Sequence, residues 1–201
     1  MTSPVRTHDV VIVGAGPVGL ALLLALLRAG VDAVALDRGA GPTTYPKARV
    51  VSTRSMELLR RWGLAEQVRA AALPGDWTER IVVGRSLAGE ELFRVESARE
   101  RGPSAPSPES RVLCTQDRLE AILADEAART PGAVRWGTEA LAVEDGTRWA
   151  EVDTLGPQGR ERATARALRR PGGRRAGAWG RAPHCPGPAG GALSSGRSAS
   201  W

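Results

Sequence analysis

VVIVGAGPVGLALLLALLRAG, Val10 to Gly30, carries no charge over the 18 positions between Asp9 and Arg28. A secretory leader, a membrane-spanning helix, or a strand and helix joined by a glycine turn could each be built from such a run. A leader has a positive start and a small-residue cleavage site after its apolar stretch. Here Arg6 is followed by Asp9, and the run ends in the helical text Arg28-Ala29-Gly30. A spanning helix needs about 20 apolar residues, and this one would carry Gly14, Gly16, Pro17 and Gly19 into lipid with no partner for the freed backbone groups. The third reading divides the run into a β-branched strand over Asp9 to Val13 and a helix over Pro17 to Ala29, closed by Gly30 at its C′ position. No membrane association is expected.

Between strand and helix, Gly14-Ala15-Gly16-Pro17-Val18-Gly19 has the G-x-G-x-x-G spacing. The three glycines meet different needs. Gly14 permits the tight turn, Gly16 lets a pyrophosphate approach the backbone, and Gly19 lets the helix pack closely on the strand. The anion then sits at the positive end of the helix, where free N–H groups point at it. The spacing alone is a weak signal, and a glycine-rich turn in an unrelated α/β protein would share it. The context strengthens it: Val31 to Leu36 reads as a second buried strand ending in Asp37, 21 residues beyond Gly16. A carboxylate there accepts hydrogen bonds from a ribose hydroxyl pair and repels a 2′-phosphate.

Charge and cysteine usage narrow the setting. The chain has 201 residues and a net charge of +6, but the charge is unevenly placed. Up to Gly159 there are 19 Lys and Arg against 21 Asp and Glu, and from Arg160 onward nine Arg stand against Glu161 alone, so the body is at −2 and the tail at +8. A one-sided basic tail reads as a solvated segment rather than a nucleic-acid footprint. No nucleic-acid partner is expected. Cys114 and Cys185 lie far apart, give neither a disulfide framework nor metal spacing, and fit a reducing cytoplasm.

NAD and FAD share the glycine fingerprint, so the choice between them comes from farther along. Gly39 to Arg49 is a turn-rich basic loop where a dehydrogenase would have a crossover helix. Pro46-Lys47-Ala48-Arg49 leads into a helix from Ser52, with Met56, Leu59 and Trp62 on one apolar face. Farther on, an extended Arg111 to Leu113 precedes Cys114-Thr115-Gln116-Asp117-Arg118-Leu119-Glu120, which starts another helix. With its spacing from the glycine turn, this series resembles the FAD-dependent aromatic hydroxylases, the group A flavin monooxygenases typified by para-hydroxybenzoate hydroxylase, over roughly Asp9 to Ala165.

The resemblance implies roles for particular residues. Gly14, Gly16, Pro17 and Gly19, with Asp37, match the ADP-binding part, and Arg38 joins the adenosine side. Lys47 stands where the family has an arginine in its Pro-Arg-Ala motif, keeping the charge but losing the planar fork; it would reach the flavin side. Gln116 matches a glutamine that contacts FAD. Without the resemblance, Lys47, Arg49 and Arg54 read as a solvated basic surface. The expected fold is α/β, a Rossmann-like FAD-binding domain with a parallel sheet and a β-meander. It is incomplete, spanning 1–168 with a partial substrate-domain excursion at about 73–115. In that excursion Trp77 to Val83 and Glu91 to Val95 read as strands and Arg99 to Ser110 as a loop, with Trp77 and Phe93 candidates for an aromatic pocket or simple packing. Ala133 to Val143 reads as one strand, Asp145-Gly146 as a turn, Arg148 to Leu155 as its partner, and Glu161 to Leu168 as the start of a third strand, with an unpaired sheet edge expected near Leu168.

The family's next element, a buried strand ending in Asp-Gly, is absent. Residues 169–201 have no Val or Ile, are rich in Arg, Gly, Pro and Ala, and read as disordered. Read one base later from Ala167, the fixed first and third codon letters permit Tyr-Val-Val-x-Ala-Asp-Gly-Ala-Arg, so the tail is expected to be out of frame. The activity implied by the resemblance is hydroxylation of a small phenolic or polyketide-like substrate by molecular oxygen through a flavin C4a-hydroperoxide, with NAD(P)H as reductant. For the truncated chain the expectation is little or no turnover. The competing readings are a degenerate ADP- or FAD-binding remnant and an NAD dehydrogenase. Against the dehydrogenase, His8 precedes the first strand and His184 lies in the tail. No metal ligands and no catalytic residues are assigned.

Overall fold

The computed structural model describes residues 5–74, 80–86, 88–96, 106–146 and 149–166. In chain order these form β1 (Val5–His8), β2 (Val10–Val13), α1 (Pro17–Arg28), β3 (Ala33–Leu36), β4 (Val50–Val51), α2 (Thr53–Arg61) and α3 (Ala65–Ala70). There follow β5 (Arg80–Gly84), β6 (Glu91–Glu96), β7 (Val112–Leu113), α4 (Gln116–Ala127), β8 (Val134–Arg135), β9 (Glu139–Asp145), β10 (Trp149–Gly156) and β11 (Gly159–Arg166).

The opening run folds as a strand, a turn and a helix. β2, β3 and β8 form a parallel sheet in the order β2-β3-β8, and α1 lays Leu20, Leu23 and Leu24 into the core. The helix ends as its sequence requires: Gly30 has φ of 76°, and Val31 N–H to Leu26 O with Gly30 N–H to Leu27 O, both 3.0 Å, make the paired bonds of a Schellman motif. All four residues of β3 are buried because both faces are covered. Ala33 and Ala35 join the core that contains Leu20, Leu23 and Leu24. Val34 and Leu36 join a second, smaller core with Val152 and Ala163.

That second core is roofed by the meander. β9, β10 and β11 are antiparallel neighbours, joined at β10–β11 by the Pro157-Gln158 loop between Gly156 and Gly159. Two expectations are corrected here. The strand expected over Ala133 to Val143 is two strands in different sheets, broken at Trp136-Gly137-Thr138, where Gly137 takes φ of 65°. A glycine inside a strand pattern marks such a break. The second correction is that the third meander strand has a neighbour the sequence does not place: β11 lies between β10 and β1, pairing in parallel with β1 from Val5 opposite Arg162 to His8 opposite Ala165, while Leu168, where the unpaired edge is expected, lies outside the described residues. The sequence alone places no strand before Asp9, and strand β2 begins one residue later than expected, at Val10.

The remaining elements position two helix starts. Ser52 caps α2 by accepting from Ser55 N–H, and Met56 and Leu59 are buried as the apolar face requires. α3, a helix that the sequence pattern does not announce, follows Gly63 and buries Val68. The β4–β7 ladder pairs Val50 with Leu113 and Val51 with Val112, so α2 and α4 begin from adjacent strands. β5 and β6 form an antiparallel hairpin with Val82, Leu92 and Phe93 exposed. Trp77, the other half of the expected aromatic pocket, lies outside the described residues, as do Cys185, His184 and everything after Arg166.

Candidate dinucleotide site

The glycine turn is fixed by backbone geometry. Gly14 sits at φ of 102°, the left-handed region that glycine alone enters cheaply, and its N–H donates to Leu36 O at 2.7 Å. Gly16 is the N-cap of α1 and has no side chain to cap the helix, so the orphan donors of the first turn stay available. Pro17 occupies the first helical position, where its missing N–H costs nothing. At Gly19 any Cβ would overlap the Gly14 carbonyl oxygen and touch Ile12 Cγ2 at 3.5 Å. At Gly16 the nearest atom to such a Cβ is Glu120 Oε1, 3.8 Å away, which leaves the approach to the backbone open. Bare N–H groups at a helix start, in a turn whose glycines carry no side chains, fit a diphosphate.

Asp37 ties this turn to the sheet. Its Oδ2 accepts from Ala15 N–H at 2.7 Å, inside the turn, and its Oδ1 accepts from Gly39 N–H at 2.8 Å. Its backbone is held too: Asp37 N–H donates to Arg135 O at 3.1 Å and Thr138 N–H donates to Asp37 O at 2.8 Å. Gly137 N–H to Gly39 O, 2.7 Å, closes the same corner. The break between β8 and β9 thus clasps the segment that carries Asp37. A carboxylate oxygen with one internal donor retains a lone pair for a second, so both oxygens can still meet a hydroxyl. Arg38 follows in an exposed bend.

A third wall comes from residues 39–49 and the start of α4. Gln116 N–H donates to Ala48 O at 2.7 Å, which draws the Lys47-Ala48 backbone to the helix start; Lys47 itself is exposed. Gln116 Nε2 donates to Glu120 Oε1 at 2.7 Å, and Thr43 N–H donates to Glu120 Oε2 at 2.8 Å. The structure therefore brings Gly14, Gly16, Pro17, Gly19, Asp37 and, through Glu120, Gln116 to one place. Glu120 and Thr43 are site residues that sequence reasoning missed. The signal available was Gln116 and Glu120 at i and i+4, neighbours on one helix face. Arg54 pairs instead with Glu57 at 2.7 Å on the exposed side of α2. There the Ser107 side chain, ahead of Arg54, holds the Glu57 carboxyl below its ordinary range.

Other reactive groups have structural surroundings. Cys114 is buried, and burial pushes its thiol up, away from the thiolate. At the start of α4 the Thr115 side chain holds the Asp117 carboxyl below its ordinary range, where the charge complements the helix N-terminus. His8 Nδ1 pairs with Asp32 Oδ1 at 3.0 Å beside the sheet. Among the described residues no three His, Cys, Asp or Glu side chains gather to hold a metal ion, and no helix is long and apolar enough to cross a membrane.

Comparison with known proteins agrees with this geometry. Residues 7–167 match the family described as FAD binding domain. Aklavinone 12-hydroxylase RdmE of Streptomyces purpurascens is 35% identical over 139 residues, covering 67% of this chain and 26% of the relative. The 2,4-dichlorophenol 6-monooxygenase of Cupriavidus pinatubonensis is 34% identical over 141 residues, 68% of this chain and 24% of the relative. Among solved structures, the flavin-dependent monooxygenase PieE in complex with FAD and substrate superposes with a TM-score of 0.71 at 27% identity, covering 81% of this chain and 29% of that one. The rebeccamycin biosynthetic enzyme RebC with reduced flavin gives a TM-score of 0.71 at 29% identity, over 82% and 32%. The chain spans about a quarter of the length of the curated relatives it matches.

Proposed function

Because this chain belongs to the FAD-binding domain family, among the FAD-dependent aromatic hydroxylases, we propose that its described fold holds the ADP portion of FAD at the glycine turn. The observation that carries this is the bond from Ala15 N–H to Asp37. It locks the turn that bares the start of α1 and leaves the acidic side chain at the ribose position. Gly14, Gly16 and Gly19 bring the diphosphate to the helix N–H groups, and Pro17 sets the first turn. The spare lone pairs of Asp37 accept the ribose hydroxyls, with Arg38 on the adenosine side. Lys47 and Gln116 serve the flavin side of the cofactor.

When bound, the flavin supplies the redox chemistry by which NAD(P)H and molecular oxygen hydroxylate a small aromatic substrate, phenolic or polyketide-like. The names of the relatives support that substrate class. The setting we propose is the cytoplasm. We read 1–168 as the FAD-binding part, including the 73–115 excursion, and 169–201 as out-of-frame text. The β1–β11 register supports this: a parallel strand laid along β2 at the same offset would need apolar residues opposite Val11 to Val13. Leu168-Arg169-Arg170 supplies one of the three, whereas the shifted text supplies Tyr-Val-Val. In this reading the chain as it stands binds the cofactor weakly and turns over little or nothing.

The test is a titration of FAD, ADP and NAD, each separately, into the chain as it stands and into the chain with its frame restored from the gene. FAD binding that strengthens on restoration is the expected result. ADP binding without preference for FAD supports a degenerate remnant, and NAD binding in preference to FAD a dehydrogenase. A shifted frame that meets a stop codon or lacks Asp-Gly ends the frame argument.

A further inference from the structure

Building on the reading that this turn holds FAD, we propose that Glu120 is a positioning residue of the dinucleotide site, holding Gln116 and the Thr43 segment beside Gly16. Glu120 is only 4% exposed although it is ionisable. A buried carboxylate is costly unless its oxygens are bonded, and here each oxygen takes a donor from a different element. Oε1 accepts from the Gln116 side chain at 2.7 Å and Oε2 from the Thr43 backbone at 2.8 Å. The position a Cβ on Gly16 would take lies 3.8 Å from Oε1, so the carboxylate borders the cradle itself. It bonds two parts of the site, the start of α4 and residues 39–49, which contain no helix or strand, and lies beside the third, the glycine turn.

The chemistry of the two donors dictates the residue. An ionised carboxylate accepts at both oxygens and donates nothing, whereas a glutamine amide offers one acceptor and two donors. With N–H groups on both sides, Glu satisfies the arrangement at once, Gln does so only when the Gln116 amide turns over to present its oxygen, and Met leaves both donors without an acceptor. Once that tether is lost, the arranged site is one population among several, and apparent affinity falls by the fraction that remains competent.

The experiment uses the full chain and FAD, read by flavin fluorescence. Glu120→Met, which removes both acceptors, is expected to raise the Kd about tenfold, the competent fraction dropping to about a tenth. Glu120→Gln, which bonds Thr43 and Gln116 again once the Gln116 amide turns over, returns it to within about threefold of the unaltered chain. An unchanged Kd in Glu120→Met, or a Glu120→Gln variant no better than Glu120→Met, overturns the proposal. Amide exchange at Thr43 in the ligand-free chain decides the tether without FAD: about tenfold faster exchange in Glu120→Met, mended in Glu120→Gln, supports it, and equal rates in Glu120→Met and the unaltered chain overturn it. If the unaltered chain leaves FAD unbound, the cofactor reading fails while the exchange measurement still judges Glu120.

Discussion

Around the glycine turn, α1 and its neighbours bury Leu20, Leu23, Leu24, Met56, Leu59 and Leu123 in one core. Between β3 and the meander the buried apolar set is Val34, Leu36, Val152 and Ala163. In the first region, at the Gly19 contact between α1 and the turn, a single methyl group has nowhere to go. The second is stitched by polar bonds: Arg135 to Glu161 between β8 and β11, Thr154 Oγ1 to Glu161 O at 3.1 Å, and Arg162 to Asp153 and Glu151, both at 2.9 Å. The cofactor cradle therefore depends on shape, and the meander on charge. Each can be broken by the kind of substitution that the other tolerates.

Gly19→Ala is expected to have the largest effect. Its Cβ would overlap backbone at Gly14, which cannot rotate aside as a side chain could, so α1 must lift from β2. The cost is about 3 kcal/mol, the upper end for overpacking, with FAD binding lost. The comparison that sharpens this is Gly30→Ala, where φ is 76° but no atom lies within 4 Å. Backbone strain alone costs about 1 kcal/mol there, and FAD affinity is retained. Urea unfolding and FAD titration of the two variants check the pair, and equal losses would remove the claim that space rather than backbone angle limits the cradle.

Next comes the buried pair between sheet and meander. Side-chain exposure is 17% for Arg135 and 8% for Glu161, so removing one partner leaves the other largely shielded from water without its counter-charge. Glu161→Gln is expected to destabilise the chain by about 3 kcal/mol. Replacing both, Arg135→Met with Glu161→Leu, is expected to return most of that loss, because an apolar pair of similar volume needs no solvation. If the double variant is as unstable as the single one in urea, the pair holds the meander in some other way.

The same contrast explains what could be read from the sequence. The strand-turn-helix of Val10 to Gly30 was legible because its constraints are local: β-branched residues, glycines at fixed offsets, Pro17 at the helix start and Gly30 at its end. Asp37 was legible by position, but its internal bonds to Ala15 and Gly39 were not, since they depend on how the corner folds. The break at Gly137 was overlooked because the residues on both sides fit a strand, and only the tertiary role of that turn, clasping Asp37, separates them. β1 escaped notice for a related reason. It gains its place by pairing with β11, more than 150 residues away, and long-range pairing leaves no local period. Glu120 carries no local sign of its role, which rests on its partners at Thr43, 77 residues away, and Gln116.

The smallest expected effect lies on the meander surface. Arg162 is nearly half exposed, and the neighbouring Asp153 carboxylate, with Glu151, raises its already high pKa, so it stays charged at any ordinary pH. It faces Asp153 directly across β10–β11. Glu151 in turn stands opposite Glu144 on β9, so one arginine lies among three carboxylates. Exposed pairs of this kind add little stability, and Arg162→Gln should barely move the melting temperature and leave FAD affinity unchanged. The informative quantity is the response to salt. In the unaltered chain salt screens an attraction, so added NaCl slightly lowers the melting temperature. In Arg162→Gln the three carboxylates repel one another across and along the strands, and salt screens that repulsion, so the melting temperature rises instead. Opposite signs between low salt and about 1 M NaCl, where the screening length is about 3 Å, would show that charge organises this face. Parallel responses would leave the meander held by its backbone ladders and its small apolar core, and the division between a cradle set by shape and a roof set by charge would be lost.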